Sequence, residues 1–168
     1  MSLEYKIKQS GLYFDTEEYP GEYRIVVSGM WNEYQWCIVS MGSHPDAYIG
    51  IPKEHHYGRK FQHAANEEDI EISVHGGITY TSNCLDVYSR DQFHHGYIIR
   101  DISVSTLDPI PDPKKYFWIG WDYGHLGDLY YSKGFPYRKD PVVWTEDMIL
   151  TEIYDALKQL EEYKFIHG

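Results

Sequence analysis

The sequence predicts an α+β domain: a mainly antiparallel sheet with a C-terminal amphipathic helix packed on one face. Three observations carry this expectation. Short runs rich in β-branched and aromatic residues recur between breaks marked by glycine, proline and asparagine. One segment near the C-terminus repeats apolar residues at spacings of three and four. Aromatic residues make up 17% of the chain and 17 of them are tyrosines; apolar in body and polar at the tip, tyrosine suits strands and core edges. A length of 168 residues fits one domain spanning 1–168. A chain of that size can bury its own core without disulfide staples.

The elements follow in order. Leu12–Phe14 is a short strand candidate, and Pro20-Gly21 marks a turn. Glu22–Gly29 (EYRIVVSG) reads as a strand, Asn32-Glu33 interrupts, and Tyr34–Met41 (YQWCIVSM) reads as the next. A turn over Gly42–Asp46 leads into Ala47–Ile51, stopped by Pro52, which has no N–H to offer a ladder. Lys53–Glu68 is expected to be a loop with one helical turn. Asp69–Val74 (DIEISV) alternates polar and apolar residues, the period of a half-buried strand. His75-Gly76-Gly77 breaks that run and Ile78–Thr81 resumes it. A glycine pair here fits a bulge, or a tight turn where main chain comes close to something.

Asn83–His95 is irregular and Gly96–Val104 (GYIIRDISV) is a further strand candidate. Pro109, Pro111 and Pro113 make Leu107–Lys115 an extended connector. Tyr116–Trp121 (YFWIGW) is the most apolar strand, and its large side chains need cover on both faces, so it belongs at the sheet's centre. Asp122–Asp128 follows as a glycine-punctuated turn, and Leu129–Pro141 as a tyrosine-rich loop. In the final helix Thr145 is the N-cap, and Glu146 and Asp147 suit the positive end of the dipole. Ile149, Ile153, Leu157 and Leu160 form one stripe with Ala156, and the helix is expected to end near Tyr163. Glu152 lies at the border of the stripe, where a carboxylate is expected to reach solvent.

Composition narrows the function classes. The net charge of −11 disfavours nucleic acid, whose binding relies on Lys and Arg displacing counterions. An anionic membrane surface is disfavoured for the same reason. Divalent metal ions, small molecules and host proteins remain as partners. The two cysteines, Cys37 and Cys84, form no CxxC and are too few for a disulfide-built secreted domain. Cys37 lies in an apolar run and is expected to be a small buried hydrophobe. No run approaches the ~18 apolar residues of a membrane span, and the first residues lack a signal peptide's apolar core. The expected location is the cytoplasm.

The segment Asp122-Tyr-Gly-His125-Leu-Gly-Asp128 is the strongest pattern for chemistry. It follows a buried strand, and loops held by a rigid sheet commonly carry sites. Two carboxylates and an imidazole so close together can converge on a divalent cation. His75, at a strand break, joins them if its segment and 116–121 share a sheet edge. A set of His75, Asp122, His125 and Asp128 could bind a metal that lowers the pKa of its water to about 7. Without metal, a carboxylate-oriented histidine is a general base. The plainer alternative is a turn held by side-chain to main-chain hydrogen bonds. His55-His56 cannot easily share one ion, because neighbours in extended chain point opposite ways; they read as solvated loop residues, of which His55 could line a pocket rim.

Three stretches, Tyr48-Ile-Gly-Ile-Pro-Lys-Glu-His55, Val74-His-Gly-Gly-Ile-Thr79 and Trp118-Ile-Gly-Trp-Asp-Tyr-Gly-His-Leu-Gly-Asp128, resemble a group of small uncharacterised proteins encoded by phages and prophages. Trp121 stands where that group has Phe, and Tyr123-Gly124 replaces a Cys-Ala pair. The missing Cys argues against a thiol mechanism and leaves the His/Asp set intact. The resemblance implies a mobile-element origin and a bacterial host cytoplasm. It carries over His55, His75, Asp122, His125 and Asp128 by position, with no role attached. Two function classes follow: a metal-assisted or acid–base hydrolase of a small substrate, and a non-enzymatic accessory protein that binds a host protein or sequesters a small ligand.

Overall fold

A computed structural model describes residues 24–40, 44–60, 66–82, 116–125, 127–128 and 141–167. The strand candidates Leu12–Phe14 and Gly96–Val104, the proline-rich connector and most of the tyrosine-rich loop lie outside these residues. Strands β1 (Arg24–Trp31), β2 (Tyr34–Ser40) and β3 (Pro45–Pro52) come first, followed by a short helix α1 (His56–Lys60) and a 3₁₀ turn (Glu67–Asp69). Strands β4 (Tyr80–Ser82) and β5 (Tyr116–Asp122) and the long helix α2 (Glu146–His167) complete the described elements. The sheet runs β1-β2-β3-β5-β4, and every pairing is antiparallel. With α2 packed against it, this is the α+β architecture that the periodicities predict.

β1 and β2 form a hairpin closed by Trp31 and Tyr34, with Asn32 at φ 52° in its two-residue turn. Asparagine tolerates that left-handed conformation better than other side chains. β5 lies inside the sheet, between β3 and β4, as its apolar run requires. Phe117, Ile119, Trp121 and Tyr123 face α2 together with Ala47, Ile49, Ile51, Tyr34, Trp36 and Ile38. The alternate residues Trp118, Tyr48, Cys37 and Val39 are also buried, so both faces of the central strands are closed.

Helix α2 starts as expected: Met148 N donates to Thr145 Oγ1 at 3.2 Å. It buries Ile149, Ile153, Ala156, Leu157 and Leu160. It continues beyond Tyr163 to His167, held by Tyr34 OH donating to Glu161 (2.6 Å) and by Lys164 bonding Glu33 (2.7 Å). His55, placed by sequence at a pocket rim, is instead only 2% exposed. Its Nδ1 accepts from Tyr57 N (3.1 Å) and its Nε2 donates to Leu160 O (3.0 Å). Both ring nitrogens are engaged by main chain, so His55 fastens α1 to α2.

Residues 69–74 are the main correction to the strand reading. Their burial alternates as expected, with Ile70 and Ile72 buried and Glu71 and Ser73 exposed, but they join no ladder among the described residues. Side chains take the place of a partner strand. Gln159 on α2 accepts from Ser73 N (2.8 Å) and donates to Ser73 O (2.9 Å), while Glu71 N donates to Tyr57 OH (3.0 Å). Periodicity reports which side chains are buried, and it is silent on what satisfies the main chain.

Candidate functional site

The site lies beyond the C-terminal end of β5. Asp122 closes that strand opposite Asp46 of β3. The chain then turns so that His125 N donates to Asp128 Oδ2 (3.0 Å) and Asp128 N donates to His125 O (2.9 Å). Gly127, at φ +100°, takes a conformation that other residues rarely adopt. Asp128 pairs with Val142 in an isolated parallel bridge, which brings Trp144 across the turn.

His75 arrives from the other segment. Its Nε2 lies 2.8 Å from Asp128 Oδ2. Asp128, with only 3% of its side chain exposed, also accepts from Trp144 Nε1 at 2.8 Å. The carboxylate therefore takes three donors, and the proton of the His75 bond resides on Nε2. The His75 ring lies parallel to Tyr123 (5.3 Å between centroids, 5° between planes) and 4.7 Å from Trp144. It meets the His125 ring edge-on at 5.2 Å. Gly76 has φ +69°, and a Cβ there would overlap the His125 ring, with Nδ1 2.8 Å away. The close approach foreseen for the glycine pair is thus to His125.

Ligand atoms of His75, His125 and Asp128 all lie within 4.8 Å of one another. His125 Nδ1 is buried and has no hydrogen-bond partner among the described residues. It stands 3.5 Å from Asp122 Oδ1 and 3.6 Å from Asp128 Oδ2. Asp122, the fourth residue of the expected set, is outside the close group. Its Oδ1 accepts from Gly124 N (3.0 Å) and its Oδ2 from Thr79 Oγ1 (3.4 Å). The metal-like convergence and the plainer turn reading therefore both occur in one segment: Asp122 holds the turn at Gly124, while Asp128 both accepts from the His125 main chain and belongs to the close group.

Several neighbours escaped the sequence reading. Glu152, expected to reach solvent, turns inward: its Oε1 accepts from Trp121 Nε1 (2.9 Å), Tyr123 OH (2.7 Å) and His75 N (3.1 Å). A signal existed, because an indole and a phenol next to an apolar strand need an acceptor once buried. Burial, helped by the bond to Glu152, pushes the Tyr123 phenol far above its ordinary range, so it remains a donor. Trp144 left no sequence signal. His44 left none either, yet its Nδ1 lies 2.9 Å from Asp46 Oδ1.

His44 and Asp46 give a pH dependence. Burial lowers the His44 pKa, but its bond to and attraction by Asp46 outweigh this and raise it. Burial raises that of Asp46, and the charge on Asp122 adds to the rise against the opposing effect of His44. A raised histidine pKa contributes stability that is complete below the unfolded value of about 6.5 and is lost as pH rises through the folded value. The melting temperature is expected to fall as pH is raised from about 6.5. His44→Gln should flatten that slope; an equal slope in the variant would assign it elsewhere.

No protein-family model, curated protein or solved structure matches the chain. No described helix is long and apolar enough to cross a membrane.

Proposed function

We propose that the protein is a metal-assisted hydrolase of a small substrate, with His75, His125 and Asp128 as the cation's ligands. The observation that carries this is the convergence of three ligand atoms within 4.8 Å, with His125 Nδ1 buried, facing two carboxylates and hydrogen-bonded to none of the described residues. A divalent cation among Nδ1, the His75 ring and Asp128 would satisfy that nitrogen, and two imidazoles with one carboxylate suit zinc and its neighbours. When bound, such a cation supplies a water of lowered pKa and polarises a substrate oxygen. Trp144 and the His125 main chain orient the Asp128 carboxylate, and Tyr123 and Trp144 wall the His75 ring. Asp122, 3.5 Å from His125, is the remaining carboxylate within reach for proton transfer.

The resemblance to phage and prophage proteins supports a bacterial host cytoplasm as the setting. The aromatic walls beside His75 favour one second reading, an accessory protein that binds a small ligand or a host protein without turnover. Elemental analysis of untagged protein prepared without chelator, a Co²⁺ titration and hydrolysis of nitrophenyl esters separate the two. The hydrolase reading expects one cation per chain, and both cation and turnover lost in His125→Ala. Absence of cation binding and of turnover in the unaltered protein would overturn it.

A further inference from the structure

The imidazole of His75 is held from behind as well as from in front. One bond, to Asp128, fixes the position of Nε2 but leaves the ring able to swivel about that contact. The plane of the ring is set by its parallel stack on Tyr123. The tip of the Tyr123 ring is held in turn by its hydroxyl, which donates to Glu152 at 2.7 Å and so keeps the ring against the imidazole. The same Glu152 oxygen accepts from the His75 main-chain N at 3.1 Å, so it restrains the residue's backbone too. That restraint is needed because the next two residues, Gly76 and Gly77, sit at φ +69° and +81° and carry no side chain to anchor the loop. Glu152 itself cannot drift. It projects from the second turn of α2, between the buried Ile149 and Ile153, and also binds Trp121 Nε1.

We infer that Glu152 is a positioning residue for His75, fixing the imidazole through the main chain and the Tyr123 ring so that Nε2 points at Asp128. The inference rests on the proposed cation site only for one arm of its test. Groups that hold a ligating histidine typically change metal affinity by tenfold to a hundredfold when removed.

The experiment uses the full chain in two states. In metal-free protein, a proton–nitrogen correlation spectrum of the imidazoles reads the His75 tautomer. The unaltered protein should show a single Nε2–H form. Glu152→Ala should show nitrogen shifts averaged between the two tautomers, and Glu152→Gln, which keeps an acceptor oxygen, should restore the single form. With Co²⁺ added, Glu152→Ala should bind about tenfold to a hundredfold more weakly, and Glu152→Gln close to the unaltered protein. If Glu152→Ala does not fold, Tyr123→Phe keeps the stacked ring, loses its bond to Glu152 and should show the same shift in smaller degree. An unaltered His75 spectrum in whichever of these two variants folds overturns the inference. Co²⁺ ignored by the unaltered protein, with the tautomer change present in Glu152→Ala, sinks the cation reading and leaves the positioning role standing.

Discussion

Asp128→Ala is expected to destabilise the protein by about 3–5 kcal/mol, the range seen when one partner of a buried charged network is removed. Asp128 is buried, and its two oxygens accept from His75 Nε2, His125 N and Trp144 Nε1. Truncation leaves three part-buried donors without their acceptor, and a donor left unsatisfied on full burial costs about 1–3 kcal/mol. Relaxation and entering water recover part of that sum. Asp128→Asn keeps the shape and one acceptor oxygen, so its loss should be smaller, while it forfeits the charge that a cation needs. Urea unfolding followed by tryptophan fluorescence measures both. A loss below about 1 kcal/mol for Asp128→Ala would mean the network is far weaker than its geometry implies.

Trp118→Ala should have an effect of the same order, about 3–5 kcal/mol, for a different reason. Trp118 is 0% exposed on the sheet face opposite α2, in the strand that lies between β3 and β4. Its ring reaches Gly50 on β3, where a Cβ would come 3.0 Å from the indole. Gly50 is therefore the complement of Trp118: the large ring occupies the space that a side chain on the facing residue would need. Removing the ring opens a cavity that β3 and β5 cannot close without disturbing their register. Trp118→Phe, which fills more of the space, should lose less. Equal stability of Trp118→Ala and the unaltered protein would show that this face tolerates water.

Much of the architecture was legible because it rests on local patterns. The residues of YFWIGW are apolar at every position but glycine, and only a strand covered on both sides accommodates that. The α2 stripe is visible at spacings of three and four, and Thr145 marks where the helix begins. The same reasoning misjudged 69–74, where alternation is real and no ladder forms among the described residues. It also misplaced His55 and Glu152. Both face the interior because an acceptor or donor waits there: Leu160 O for His55, and two aromatic donors and a main-chain N–H for Glu152. No periodicity encodes such long-range partners.

By itself, then, the chain's order of residues determined the strands of the sheet core, the long helix and the turn that presents His125 and Asp128, since each depends on neighbours a few positions away. Only the tertiary structure decided that His75 meets Asp128 across 53 positions and Glu152 across 77, and that Asp122 stays outside the close group. The reason is that β4 and β5 pair beside β3 while α2 crosses the same end of the sheet, so the distances among these groups are set by packing and strand order rather than by spacing along the chain.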